Sequence, residues 1–177
     1  VGGVIMVHGD DSGLILPPKV APLQAVIVPI SRGNWKETVL PEAYTLFNQL
    51  KNNGVRVYLD ERDTYTPGWK FAEWEMKGVP VRIEIGPKDI ENRQVVLVNR
   101  INRDKVFVKR DDIVAALGKL LEEIQQQLFD RALEFREANT HEAFNYAELM
   151  DVFDNRKGLV KAGWCESNAC EVKLKEA

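Results

Sequence analysis

Three side chains near the middle of the chain have the chemistry to read a nucleobase: Phe71, Glu75 and Arg82. Phe71 and Glu75 are four residues apart, so on a helix they project from one side. Arg82 follows among Val79, Val81, Ile83 and Ile85, whose period of two makes a half-buried strand with Arg82 on the opposite face. A ring offers a stacking surface, a carboxylate accepts from ring and exocyclic N–H groups, and a guanidinium donates in a fork. The same residues also read as a core aromatic beside a surface ion pair, an arrangement that contributes little. Spacing alone leaves both readings open.

The elements that must hold these groups are a loop, a short helix and a strand in quick succession. Thr66 suits the helix N-cap, Pro67 the first helical position and Gly78 a left-handed stop. Trp69, Ala72 and Met76 share one side, and the spacing predicts that this side packs inward.

On either side of this stretch the chain alternates strands and helices. Residues 1–16 read as a hairpin, with Val4–Val7 and Leu14–Leu16 as strands around a polar turn. His8, Asp10 and Asp11 in that turn suggest a metal or catalytic group as well as plain turn chemistry. Pro17, Pro18 and Pro22 stiffen a linker. Leu23–Ile30 is apolar on both faces, as a doubly covered strand is. Trp35–Asn53 reads as a helix with Pro41 near its start, and Val55–Leu59 as a strand parallel to Leu23–Ile30 across that helical crossover. Gln94–Arg100 and Val106–Val108 follow as strands, then a helix from Asp111 to about Asn139. Thr140 is the expected cap of a helix over 141–153, and Leu159–Trp164 the expected strand before Cys165 and Cys170. The expected class is α/β, a mixed five-stranded sheet flanked by helices, plus a small α+β C-terminal module.

Composition narrows the function. The net charge is −3, and between Asp60 and Asp112 eleven Lys/Arg face eleven Asp/Glu, so no broad basic field supports non-specific phosphate binding. Reading a few splayed bases needs no such field. Phosphate-binding glycine loops and the H-E-x-x-H zinc motif are absent from the sequence. Two cysteines without a secretion signal fit a reducing compartment, and a start inside an apparent strand fits a piece of a longer protein.

The run Thr66-Pro67-Gly68-Trp69-Lys70-Phe71, Glu75 with Lys77-Gly78-Val79-Pro80, then Arg82 and Gly86-Pro87-Lys88-Asp89, resembles the anticodon-binding domain of prolyl-tRNA synthetases of the archaeal and eukaryotic type. Gly2-Gly3-Val4-Ile5-Met6-Val7-His8-Gly9-Asp10-Asp11-Ser12-Gly13-Leu14 is similar to the end of that family's catalytic domain, and the resemblance covers essentially the whole chain. It implies residues 1–22 as a catalytic-domain remnant and linker, 23–115 as the anticodon-binding domain, and 116–177 as a connecting helix and truncated zinc-binding-like module. It implies anticodon contacts by Phe71, Glu75, Arg82, Lys88 and Lys105, an adenylate-pocket border at Gly2, Gly3 and His8, and zinc ligands at Cys165 and Cys170. For the whole protein it implies a cytoplasmic, homodimeric ligase acting on tRNA(Pro), proline and ATP with Mg2+, the site for that chemistry being incomplete in this chain. Two other classes remain at this point: a non-catalytic accessory module on the same fold, and an α/β protein binding a small metabolite.

Overall fold

The computed structural model describes residues 2–175, which divide into two compact units, one running to Phe129 and one beginning at Asp130. The first opens with helix α1 (Gly2–His8) and a short antiparallel pair, β1 (Gly9–Asp10) and β2 (Gly13–Leu14). Val4–Val7, expected as a strand, is helical. A strand needs a neighbour for its N–H and C=O groups, whereas a helix satisfies them within itself.

Next come β3 (Ala25–Pro29), α2 (Trp35–Thr38), α3 (Leu40–Asn52), β4 (Val57–Leu59), α4 (Pro67–Met76), β5 (Val81–Ile85), α5 (Pro87–Glu91), β6 (Gln94–Asn99), β7 (Lys105–Lys109) and α6 (Ile113–Ala138), within whose span the division falls. The expected helix over 35–53 is interrupted at Val39. Pro41 has no N–H to donate and is accepted only because a new helix starts there, placing it in the first turn.

The sheet has five strands in the order β4-β3-β5-β6-β7. β3 is parallel to both β4 and β5, as expected for Leu23–Ile30 and Val55–Leu59, while β6 and β7 add on antiparallel. One face carries the main core. Ala25, Ile27, Val81, Ile83, Ile85, Val95 and Leu97 meet Leu46 and Leu50 of α3 and Leu117 and Ile124 of α6. Ile15, just after β2, joins this core. Fully burying each Leu or Ile contributes roughly 1.5–3 kcal/mol. Leu46, with no exposure, is a position where truncation to Ala costs about 2–5 kcal/mol.

On the opposite face Val26 and Val28 pack under Trp74 and Val79, with Leu23 and Phe71 at the margin. Strand alternation puts Arg82 and Glu84 of β5 on this second face, together with α4.

The second unit contains β8 (Thr140–Ala143), α7 (Tyr146–Asp151), β9 (Leu159–Ala162) and α8 (Asn168–Lys175). Thr140 does not cap a helix. It begins a strand paired in parallel with β9, and Asn145 is the cap, its Oδ1 accepting from the Glu148 N–H at 3.0 Å. Pairing with a segment about twenty residues on outweighs the local helical spacing of 141–153. Among the described residues no helix is long and apolar enough to cross a membrane.

Candidate nucleic-acid interface

Helix α4 is fixed at both ends by its own sequence. The Thr66 hydroxyl accepts from the Trp69 N–H at 3.3 Å, and Pro67 occupies the first turn. At the other end Val79 N–H donates to Trp74 C=O at 3.2 Å and Gly78 N–H to Glu75 C=O at 3.0 Å, the paired bonds of a Schellman stop. Gly78 has φ of 75°, and a Cβ there would lie 2.6 Å from the Leu14 side chain, so glycine is required twice over.

The inward side of α4 is not the one expected. Trp69 and Met76 are exposed, and Trp69 instead stacks on Tyr65 with ring centroids 3.8 Å apart. Lys70 and Trp74 are the buried pair, drawn in by Asp60 at the end of β4. The Asp60 carboxylate accepts from Trp74 Nε1 at 2.8 Å and from Arg62 Nε and Nη2 at 2.8 and 2.7 Å, while Lys70 Nζ donates to the Asp60 C=O at 3.1 Å. Burial pushes the Asp60 carboxyl up, but the donors Arg62 and Trp74 and the Lys70 charge outweigh it and hold it at about 2. Burial also lowers Lys70, against the opposing pull of Asp60. Hydrophobic periodicity missed this side because its anchor is a carboxylate.

With α4 so oriented, Phe71, Glu75 and Arg82 come together. Arg82 Nη1 donates to Glu75 Oε1 at 2.8 Å, and its guanidinium carbon lies 4.0 Å from the centroid of the Phe71 ring. Glu84, two residues along the same strand face, accepts from Arg82 Nε and Nη2 at 3.1 and 3.0 Å. Its other oxygen accepts from Lys105 Nζ at 3.1 Å. Arg103, in the turn before β7, reaches Glu75 Oε2 at 3.5 Å. Two carboxylates therefore face three cations, leaving one positive charge in excess; Arg103 and Lys105 are exposed, Glu75 and Arg82 half-buried and Glu84 buried.

Sequence reasoning passed over Glu84, Arg100 and Arg103. Glu84 was detectable, since residues two apart on a strand share a face. Arg100 was not, because its partners are distant. Its Nε donates to the Glu75 C=O at 3.0 Å, and its two Nη groups hold Asp10 of β1 at 2.8 and 2.7 Å. That bidentate hydrogen bond holds the Asp10 carboxyl down at about 2 and ties the N-terminal hairpin to the end of α4. The hollow between Trp74, Glu75, Arg82 and Arg100 measures only about 10 Å³, room for a single water. A base can be read here only at the surface.

The other sequence-derived residues lie apart. Lys88 is exposed on α5, beyond the end of β5, and makes no hydrogen bond or ion pair with the cluster. Gly2 and Gly3 lie on α1 with open space around their Cα atoms, and His8 ends that helix half-buried. Gly2 and Gly3 bring no side-chain donor or acceptor to an ATP or Mg2+ site. Cys165 and Cys170 are free and exposed. A backbone hydrogen bond at Ser167, then the Cys170 thiol, lowers the Cys165 thiol, and donating to it raises Cys170. No cluster of three or more His, Cys, Asp or Glu that could hold a metal occurs among the described residues, so the two thiols fall short of the four ligands a structural zinc site needs.

Residues 24–120, just over half the chain, match the anticodon binding domain family. The chain belongs to that family. The chain is also 52% identical over 176 residues to a proline–tRNA ligase of Natranaerobius thermophilus, 49% to a proline–tRNA ligase 2 of Bacillus cereus and 48% to a proline–tRNA ligase of Lachnospira eligens. Each match takes in 99% of the chain but 36% of the relative, so the chain spans about a third of the length of these curated relatives. All three organisms are bacteria.

Proposed function

We propose that this chain is the tRNA-binding C-terminal portion of an ATP-dependent proline–tRNA ligase, and that it reads the two guanines shared by proline anticodons. The observation that carries the proposal is the Glu75–Arg82 pair seated on Phe71, in a chain aligned over 99% of its length with proteins named proline–tRNA ligases. Glu75 suits the N1–H and N2–H₂ donors of guanine, and Arg82 its O6 and N7 acceptors. Lys105 and Lys88 supply positive charge to the same RNA. The type resembled by the motifs, archaeal and eukaryotic, is part of the proposal, although the relatives named above are bacterial.

For the whole protein the proposal extends to tRNA(Pro), proline and ATP with Mg2+ as partners, to a homodimer and to the cytoplasm. Residues 1–22 are then the end of a catalytic domain bordering the adenylate pocket at Gly2, Gly3 and His8. Residues 23–115 are the anticodon reader, and 116–177 a helix and zinc-binding module to which Cys165 and Cys170 give two of four ligands.

Binding of an anticodon stem-loop RNA, followed by fluorescence anisotropy, tests the reading. Replacing either anticodon guanine by adenine should weaken binding about ten- to a hundredfold, and Arg82→Ala or Glu75→Ala should erase that preference. Equal affinity of the parent chain for the guanine and adenine loops would return Glu75 and Arg82 to a surface ion pair.

A further inference from the structure

Phe107 is 64% exposed on β7, an edge strand, although an aromatic of that size is usually at least partly covered. Strand register fixes its place. Phe107 pairs with Val96, and Val96 pairs with Glu84, so Glu84, Val96 and Phe107 form one row across three strands. The neighbouring row is Arg82, Val98 and Lys105. Directly opposed residues of antiparallel strands share a face, so Phe107 lies on the face that carries Arg82 and Glu84. Two strand spacings put it about 10 Å from Glu84.

Its strand neighbours on that face are Lys105 and Lys109, both exposed. Lys105 is already hydrogen-bonded to Glu84, which joins this stripe to the Arg82 cluster. Phe71, by contrast, is half-buried and carries the Arg82 guanidinium 4.0 Å from its ring centroid. The cluster therefore has hydrogen-bonding groups for a base edge and lacks a bare aromatic face.

We infer that Phe107, flanked by Lys105 and Lys109, is a stacking site for an unpaired nucleotide next to the anticodon guanines. This rests on the anticodon-reading proposal above. The chemistry selects single-stranded RNA: the ring stacks on any base, and the two lysines meet the phosphates on either side. The site adds affinity without adding sequence preference, because every base has a π face.

The test uses the whole chain and anticodon stem-loop RNAs carrying 2-aminopurine at each loop position flanking the guanines in turn. Phe107→Ala should weaken binding about 5- to 100-fold and abolish the fluorescence change at one of those positions, while Phe107→Trp restores both. Removing the base at that position should cost the parent chain as much as Phe107→Ala costs it, and cost the variant nothing further. Thermal melting should be unchanged, since the ring is mostly in solvent. If Phe107→Ala binds RNA as the parent does while guanine replacement still weakens binding, the stacking inference fails and the anticodon reading survives. If guanine replacement has no effect, the anticodon reading itself fails. A Phe107 that governs self-association in sedimentation, with RNA affinity unchanged, makes the stripe a protein contact and overturns the inference.

Discussion

The guanidinium of Arg82 lies 4.0 Å from the centre of the Phe71 ring and hydrogen-bonds Glu75 at 2.8 Å. The aromatic thus supports the cation, whose side chain is only 11% exposed. Phe71→Leu keeps an apolar filler but loses the cation–π contact, worth about 0.5–2 kcal/mol. The expected result is a two- to thirtyfold loss of affinity for the guanine loop, much smaller when Arg82 is already Ala. A double-mutant cycle in RNA binding measures this coupling, and additive losses would mean that Phe71 acts independently of Arg82.

Lys88 stands apart from the cluster, exposed on α5. A lone ammonium beside RNA meets phosphate, which carries no sequence. Lys88→Ala should weaken guanine and adenine loops alike and lower the salt slope of binding by about one. Affinities measured from low to moderate salt check this. A change in base preference with the slope intact would instead make Lys88 a base reader.

Asp60 and Lys70 are both fully buried, and removing one partner of such a pair strands the other. Asp60→Asn should cost about 3–5 kcal/mol in urea unfolding. The pH dependence follows from the same carboxylate. Its folded value of about 2 lies below the ordinary 3.8, so the stabilisation is complete above about pH 4 and fades as pH falls through 2. About 2 kcal/mol is at stake over that window. Urea midpoints taken between pH 5 and 2 should fall less steeply for Asp60→Asn than for the parent.

The alternation of Val81, Ile83 and Ile85 about Arg82 and Glu84, the doubly apolar Leu23–Ile30 and the Thr66–Gly78 bracket of α4 are local properties. Backbone geometry turns a period of two, a continuous apolar run or a capping pair into a strand or a helix without reference to anything distant. For that reason the mixed five-stranded sheet and the elements holding Phe71, Glu75 and Arg82 were legible in the chain. Other features were settled by partners far along the sequence. Asp60 turned Lys70 and Trp74 of α4 inward in place of Trp69 and Met76, because a buried carboxylate must be matched by donors wherever they lie. Pairing with Leu159–Ala162 made Thr140–Ala143 a strand, and Asp10 fixed Arg100 against the end of α4. Sequence period determined which residues share a face. Only tertiary contact decided which face is buried and which guanidinium lies on which ring, since both depend on satisfying polar groups whose partners are ten to ninety residues away.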